Sequence, residues 1–300
     1  MARELKRAAR PGWMDRAKSR DGALFSLPVA LFILTFILFP LIYNVWLSFF
    51  ADSGTFAGTE FYVKAFKDPT VWSSLKITFI YSAGSVIFQM LLGGAVGIAL
   101  DREFVGRGAA RSIILIPWVV PGAVAATTWA WMYHGDFGIV SRVLIDMGIT
   151  AARRGVLTIP STVLIALIIV NVWKMFPFVA VMVVAGLQSI DRNLYEAARV
   201  DGSNFLQEVR YIMLPSLRYV LISQLLLLTI WAFNSITIIY TMTQGGPADL
   251  SMILPLHIYN QGFAYFNFHT AAAESIILFL ILTVLIAVYL RLFTAEQKSE

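Results

Sequence analysis

The sequence is poor in charge and lacks cysteine altogether. Only 14% of its 300 residues are charged, against about a quarter in a soluble domain. Hydrophobic residues make up 58%, and the mean hydropathy is +0.74. The absence of cysteine excludes disulfide bonds and thiolate metal sites. No Gly-Lys dipeptide occurs, so the chain has no P-loop for ATP. The low charge and the high hydrophobic content together indicate that most of the chain lies in lipid.

Long apolar runs predict six membrane helices. Only helices and closed barrels satisfy the backbone in lipid, and a helix needs ~20 apolar residues to cross it. Barrel strands alternate in polarity, whereas runs such as Leu225-Leu226-Leu227-Leu228 do not. The first run has no charge from Gly22 to Ala51, which is too long for a signal peptide. We expect an all-α membrane protein with spans near 23–49, 77–100, 110–133, 161–187, 219–241 and 271–293.

The distribution of lysine and arginine predicts the orientation. Seven lie before residue 22, three around 101–111, four in the loop 188–218 and two at the C-terminal end. The loops on the other side hold five. Because basic residues favour the cytoplasmic side, both termini and the loop 188–218 are predicted to be cytoplasmic. The net charge of +5 reflects this orientation rather than nucleic-acid binding, since Trp13 is the only aromatic residue in the basic tail.

Proline and glycine interrupt the predicted spans. Proline kinks a helix and frees a carbonyl, which leaves two interpretations open, bundle packing or bent helices that line a cavity. The prolines concerned are Pro28, Pro40, Pro117, Pro121 and Pro177. Small residues allow close packing in lipid, and Gly93, Gly94 and Gly97 are expected to mark such a contact.

The loop between the fourth and fifth spans is the most distinctive polar segment. One helical face is predicted to carry Ile190, Leu194, Ala197 and Ala198. The Asp201-Gly202 pair is expected to end this helix, because glycine accepts the left-handed conformation. A second short helix is predicted over Asn204–Met213, before Leu214-Pro215 leads into the fifth span. The loop should therefore form a helix–turn–helix across the ends of the spans.

This loop resembles the EAA loop of permease subunits in ATP-binding-cassette (ABC) importers, in its sugar-permease version. The residues that carry the resemblance are Glu196-Ala197-Ala198, then Asp201-Gly202, then Ile212-Met213-Leu214-Pro215. The similarity extends from about residue 24 to 293 and includes Asn171–Phe178 and Thr243–Pro247. One departure is Asp191, which stands where a proline is common.

The resemblance implies a type I ABC importer permease fold in the bacterial inner membrane. It divides the chain into a cytoplasmic tail 1–22, a permease domain 23–293 with a coupling loop 189–217, and a tail 294–300. It implies alternating access with a second permease, two ATPases and an external sugar-binding protein. ATP and magnesium belong to the ATPase, and no cofactor, metal or catalytic residue is expected here. The implied coupling residues are Glu196, Ala197, Ala198, Asp201 and Gly202.

Polar residues within the spans are the candidate solute contacts. Lys174 lies halfway along the fourth span, where a charge costs ~2.5–3.5 kcal/mol and should face water or a partner. Asn171, Lys174 and Phe178 share a helical face. Asn234 and Ser235 lie past the middle of the predicted fifth span. The resemblance places all five in the substrate pathway. The role of Lys174 is left open between a structural pair, a lysine that reaches toward water, and a cation that contacts the substrate, which would also suit an anionic sugar derivative.

Other function classes have less support in the sequence. An ion-driven secondary transporter would need acidic residues in its spans, and Glu274, expected at a water-accessible end, is the only one. A membrane-embedded enzyme lacks the necessary span-end cluster, and the histidines at 134, 257 and 269 have no metal-ligand spacing. Gln89, Gln224 and Trp231 are interpreted as packing or interhelical hydrogen-bond residues. The predicted function is a carbohydrate permease, with a polyol or anionic sugar derivative as the alternative solute.

Overall fold

The computed structural model describes residues 25–52, 54–149 and 155–297, and it is built from helices. The predicted tail 1–22 lies outside these residues, as does the end of the chain from 298. In chain order, the helices are α1 (Phe25–Phe49), α2 (Glu60–Lys67), α3 (Pro69–Asp101), α4 (Arg107–Val119), α5 (Gly122–Met132), α6 (Ile139–Asp146), α7 (Val163–Leu187), α8 (Arg192–Val200), α9 (Phe205–Phe233), α10 (Thr237–Met242), α11 (Leu254–Tyr259) and α12 (Phe268–Gln297).

The prediction of six spans is corrected at the third. Five helices in the described part of the chain are long and apolar enough to cross a membrane, namely α1, α3, α7, α9 and α12. The pair α4 and α5 brings the number to six if it is counted as one broken span; it is bent by 91°, where one helix over 110–133 was expected. Pro117 lies inside α4 and Pro121 directly precedes α5. Both prolines lack an N–H group, so the helical ladder fails there.

The fifth span also differs from the prediction. The expected second short helix is continuous with the span, because a π-turn at Val209–Met213 adds a residue to the ladder just before Pro215. The helix then ends at Phe233 instead of near 241. Asn234 follows, and its side-chain amide donates to the carbonyl of Ile230 at 2.8 Å. A side chain that bonds the local backbone in this way competes with the helix and ends it.

Helices α3 and α7 pack along each other and form the centre of the bundle. A Cβ atom added at Gly93 would lie 2.4 Å from Cβ of Val179, and one at Gly97 would lie 2.7 Å from Cβ of Val183. Nothing lies within 4 Å of the same position at Gly94. Close packing is therefore confirmed for two of the three glycines and is wrong for Gly94, which points away from α7.

Helix α1 lies on the outside of the bundle and contacts the body mainly through α12. Asn44 Nδ2 donates to Ser275 Oγ at 3.1 Å. The ring of His269 lies with Nδ1 3.0 Å from the carbonyl of Leu47 and Nε2 2.7 Å from Oδ1 of Asp52. Both acceptors belong to the end of α1 or the loop after it, so this end of the helix is fixed while the side chains of 25–43 are exposed.

Glu274 is buried, which corrects the expectation that water reaches it. Its carboxyl is 1% exposed, and Oε1 lies 3.4 Å from Nε2 of His257 on α11. Burial lowers the pKa of His257, but the nearby carboxyl group of Glu274 acts in the opposite direction and the net pKa is raised. The pair joins α11 to α12 inside the bundle.

We expect Gly93→Ala and Gly97→Ala to destabilise the protein, because each new methyl group would overlap α7. Overpacking of this kind costs typically ~1–3 kcal/mol. Thermal denaturation of the purified protein in detergent measures the effect. Gly94→Ala is the matched control and should melt at or above the wild-type temperature. Equal destabilisation at all three positions would contradict the helix contact described above.

Candidate functional site

A cavity of about 150 Å³ lies inside the bundle, beside the break between α4 and α5. Its walls come from α3, α5, α7, the end of α9 and the turn into α10. The polar lining residues are Gln89, Asn171, Lys174, Ser235 and Thr237, and the others are Gly122, Met175, Leu228, Trp231, Ala232 and Ile238. The cavity therefore combines amides, hydroxyls, one ammonium group and one indole.

Three of the five predicted pathway residues line this cavity, namely Asn171, Lys174 and Ser235. Phe178 lies one layer away, with its ring 5.9 Å from that of Trp118 and 5.2 Å from that of Trp231. It supports the Trp231 wall. Asn234 directs its amide to the backbone of α9 and is outside the lining.

Gln89 and Trp231 belong to the cavity although the sequence suggested packing roles. Gln89 is 1% exposed and donates through Nε2 to the carbonyl of Asn171 at 3.3 Å, which confirms the interhelical bond. Its Oε1 has no hydrogen-bond partner in the part of the chain that the structure describes. Burying an amide without a full set of hydrogen bonds is costly. A glutamine in an otherwise charge-free span was therefore the sequence signal that could have indicated a polar cavity here. Gly122 and Thr237 carried no such signal.

Lys174 bonds to the backbone and not to an acid. Its Nζ donates to the carbonyl of Val120 at 2.6 Å and to that of Trp118 at 3.4 Å. Both carbonyls lie at the end of α4, where the helical ladder stops. The lysine sits near the middle of α7, as predicted, and it reaches the break in the third span.

At one end of the bundle, α8 and the start of α9 form the predicted helix–turn–helix. Asp191 caps α8, with Oδ1 accepting from the N–H of Asn193 at 3.0 Å, which gives the residue at the proline position a clear role. Gly202 has φ +81° and ends α8. The N–H of Ser203 bonds to the carbonyl of Ala198 at 2.9 Å, as in a Schellman motif. An Asn204–Gln207 capping box then starts α9.

The implied coupling residues lie on the surface of this hairpin. Glu196, Ala197, Asp201 and Gly202 are exposed and Ala198 is half-buried. Two large apolar side chains are also exposed nearby, Val200 at 88% and Leu206 at 75%.

The hairpin is tied to the loop between α3 and α4. The guanidinium of Arg102 lies 3.9 Å from the ring centre of Phe205. Arg199 Nε pairs with Glu208 Oε1 at 3.3 Å. Burial raises the pKa of Tyr195, and the nearby charges of Asp101 and Glu208 add to this rise. A cleft of about 670 Å³ runs between these parts, and its lining includes Asp101, Arg102, Arg107, Glu196, Arg199 and Phe205.

Comparison with known proteins gives consistent results. Residues 89–296 match the family described as "Binding-protein-dependent transport system inner membrane component". The chain is 33% identical to the trehalose/maltose transport system permease protein MalF of Thermococcus litoralis, over 91% of this chain and 94% of the relative. It is 30% identical to the sulfoquinovosyl glycerol transport system permease protein SmoG of Agrobacterium fabrum, over 95% and 94%.

The fold matches solved structures as well. A chain of a bacterial alginate ABC transporter, crystallised in complex with an alginate pentasaccharide-bound periplasmic protein, superposes with a TM-score of 0.82. The match covers 92% of this chain and 95% of that chain at 21% sequence identity. The family match covers more than half of the sequence and the relatives align over nearly all of it. The chain therefore belongs to the inner membrane components of binding-protein-dependent transport systems, the permease subunits of ABC transporters.

Proposed function

We propose that this chain forms half of the translocation pathway of an ATP-driven carbohydrate importer and works by alternating access. The observation that carries this proposal is the arrangement of two features in one permease: a polar cavity inside the bundle and an exposed hairpin at one end of it. The names of the two relatives above include sugars or a sugar derivative as transported solutes.

The lining of the cavity suits a carbohydrate. Amide and hydroxyl groups of Asn171, Gln89 and Ser235 hydrogen-bond sugar hydroxyls, and the indole of Trp231 suits the apolar face of a sugar ring. At about 150 Å³ the cavity is smaller than the roughly 300–1,000 Å³ of typical ligand sites. A second permease that adds facing walls would give a site of adequate size. Lys174 and Phe178 complete the proposed pathway on this chain, whereas Asn234, whose amide bonds to the backbone of α9, lies just outside it.

The hairpin is the proposed contact with the ATPase. Glu196, Ala197 and Ala198 would meet it, and Asp201-Gly202 would hold the turn. The basic loop 188–218 and both termini would then be cytoplasmic, in agreement with the positive-inside rule. Two ATPases would use ATP and magnesium, and a soluble sugar-binding protein would deliver the solute from outside.

Uptake into proteoliposomes tests the function. The assembled transporter, purified with its neighbouring subunits, is supplied with a binding protein and a radiolabelled sugar panel. We expect uptake that requires ATP and is indifferent to a proton gradient. Uptake that continues without ATP while a proton gradient is present would identify a secondary transporter and overturn the proposal.

We expect Asn171→Ala to raise the KM for solute uptake by about tenfold, the factor that corresponds to one lost hydrogen bond. Asn234→Ala is the matched control, because the same amide is removed just outside the lining, and its KM should stay close to that of the wild type. A larger effect at Asn234 than at Asn171 would place the solute elsewhere.

We expect Gly202→Val to lower ATP-driven uptake while the ATPases remain bound. The φ of +81° strains a β-branched residue by roughly 1–2 kcal/mol, although no atom lies within 4 Å of the new Cβ. Gly202→Asn is the control, since asparagine tolerates this conformation. Uptake and co-purified ATPase are measured together. Equal uptake by the valine and asparagine variants would show that the turn geometry is unimportant for coupling.

A further inference from the structure

The break in the third span needs a partner for its backbone. Helix α4 ends at Val119, and Val120 and Pro121 connect it to α5 at an angle of 91°. The carbonyls at the end of a helix have no donor within the helix. In lipid no water replaces that donor, so such carbonyls must either be bonded by protein or face a water-filled cavity.

Lys174 supplies this donor. Its ammonium bonds to the carbonyls of Val120 and Trp118, at the end of α4 that carries the negative pole of the helix dipole. The ring of Trp118 stacks with that of Phe178, one turn along α7 from the lysine. Helix α7 therefore holds the end of α4 by a charge-assisted hydrogen bond and an adjacent aromatic contact.

Helix α4 runs between the cleft beside the hairpin and the central cavity. It begins at Arg107, which lines the cleft beside the hairpin together with Glu196. The helix is 13 residues long and ends at the break, and Gly122 just beyond the break lines the central cavity. A helix of this length is roughly 20 Å long and acts as a stiff rod. Movement at the hairpin end of α4 is therefore transmitted to the cavity wall only if the other end of α4 is attached to that wall.

We propose that Lys174 is a positioning residue that fastens the end of α4 to α7 at the wall of the central cavity. The inference deepens the proposed function, because the fastening makes α4 the link between the hairpin and the solute. Lys174 also lines the cavity, so a solute that contacts it acts directly on this link. Its charge is already matched by backbone carbonyls, and the lysine therefore does not require an anionic solute.

Spin labels test the fastening directly, since the chain has no cysteine to remove. Cysteines at Ser112 on α4 and Thr128 on α5, both exposed, carry the labels in the assembled transporter. At a right angle the two Cα atoms are about 17 Å apart, against roughly 24 Å in a straight helix. Electron paramagnetic resonance should give a narrow distance distribution in the wild type and in Lys174→Arg, which keeps the charge and the donors.

Lys174→Met should broaden the distribution and shift it to longer distances. Lys76→Met is the matched control, because Lys76 is an exposed lysine in α3, and it should leave the distribution unchanged. If the methionine variant does not assemble, Lys174→Gln, which is also uncharged, provides the same comparison. A distribution in the uncharged variant that equals the wild type would overturn the proposal.

Transport kinetics separate positioning from solute contact. We expect Lys174→Met to lower the maximal uptake rate by about tenfold or more, as for the loss of a hydrogen bond to a charged group, and Lys174→Arg to restore most of it. A rise in KM alone, in both variants, would instead indicate that the ammonium contacts the solute. The distance measurement needs no solute, so its result stands even if the transported compound is not a carbohydrate.

Discussion

The structure depends on the fact that lipid offers no hydrogen bonds to a peptide backbone. A helix that crosses the membrane without a break makes its backbone hydrogen bonds internally, but a broken helix needs donors and acceptors from other groups of the protein. Thr78 accepts the N–H of Leu254 at 2.8 Å, Lys174 bonds to Val120, and Asn234 bonds to Ile230. In each case the bonded backbone group lies where a helix begins or ends inside the molecule. Irregular backbone is thereby permitted within the bundle.

The central cavity exists because of these interruptions. Helices that cross the membrane unbroken, such as α3 and α7, pack closely and leave no room between them. The break before Gly122 and the end of α9 before Ser235 move the backbone aside and open a space. Lys174, which stabilises the end of α4, also lines that space. At this residue, one side chain serves both the packing of the broken span and the wall of the cavity.

The sequence predicted the spans well, but it left open which prolines bend or break them. Charge-free runs locate a span by composition alone, and the Asp201-Gly202 pair defines the turn by its own backbone preference. Proline is less informative: Pro177 stays inside α7 and a π-turn accommodates Pro215, yet Pro117 and Pro121 together break the third span. A proline can break the span where a distant side chain, here Lys174, bonds the freed carbonyls. The sequence around the proline does not show whether such a side chain is present.

The site was predicted only in part for the same reason. Asn171 and Lys174 are polar residues in an apolar helix and are visible in the sequence. Thr237 and Gly122 have no unusual neighbours, and they line the cavity only because α5 and α10 pack together. Asn234 and Ser235 are adjacent in sequence, but the end of α9 directs Asn234 to the backbone of α9 and leaves Ser235 at the cavity.

The accessibility of one position in the cavity tests the central claim most directly. A single cysteine at Ser235, in a chain that has no other, is exposed to a membrane-impermeant thiol reagent from each side of the membrane. The measurement is made in the resting transporter and in one with ATP bound and hydrolysis blocked. Alternating access predicts that labelling changes from one side to the other between the two states. Labelling from the same side in both states would contradict the account.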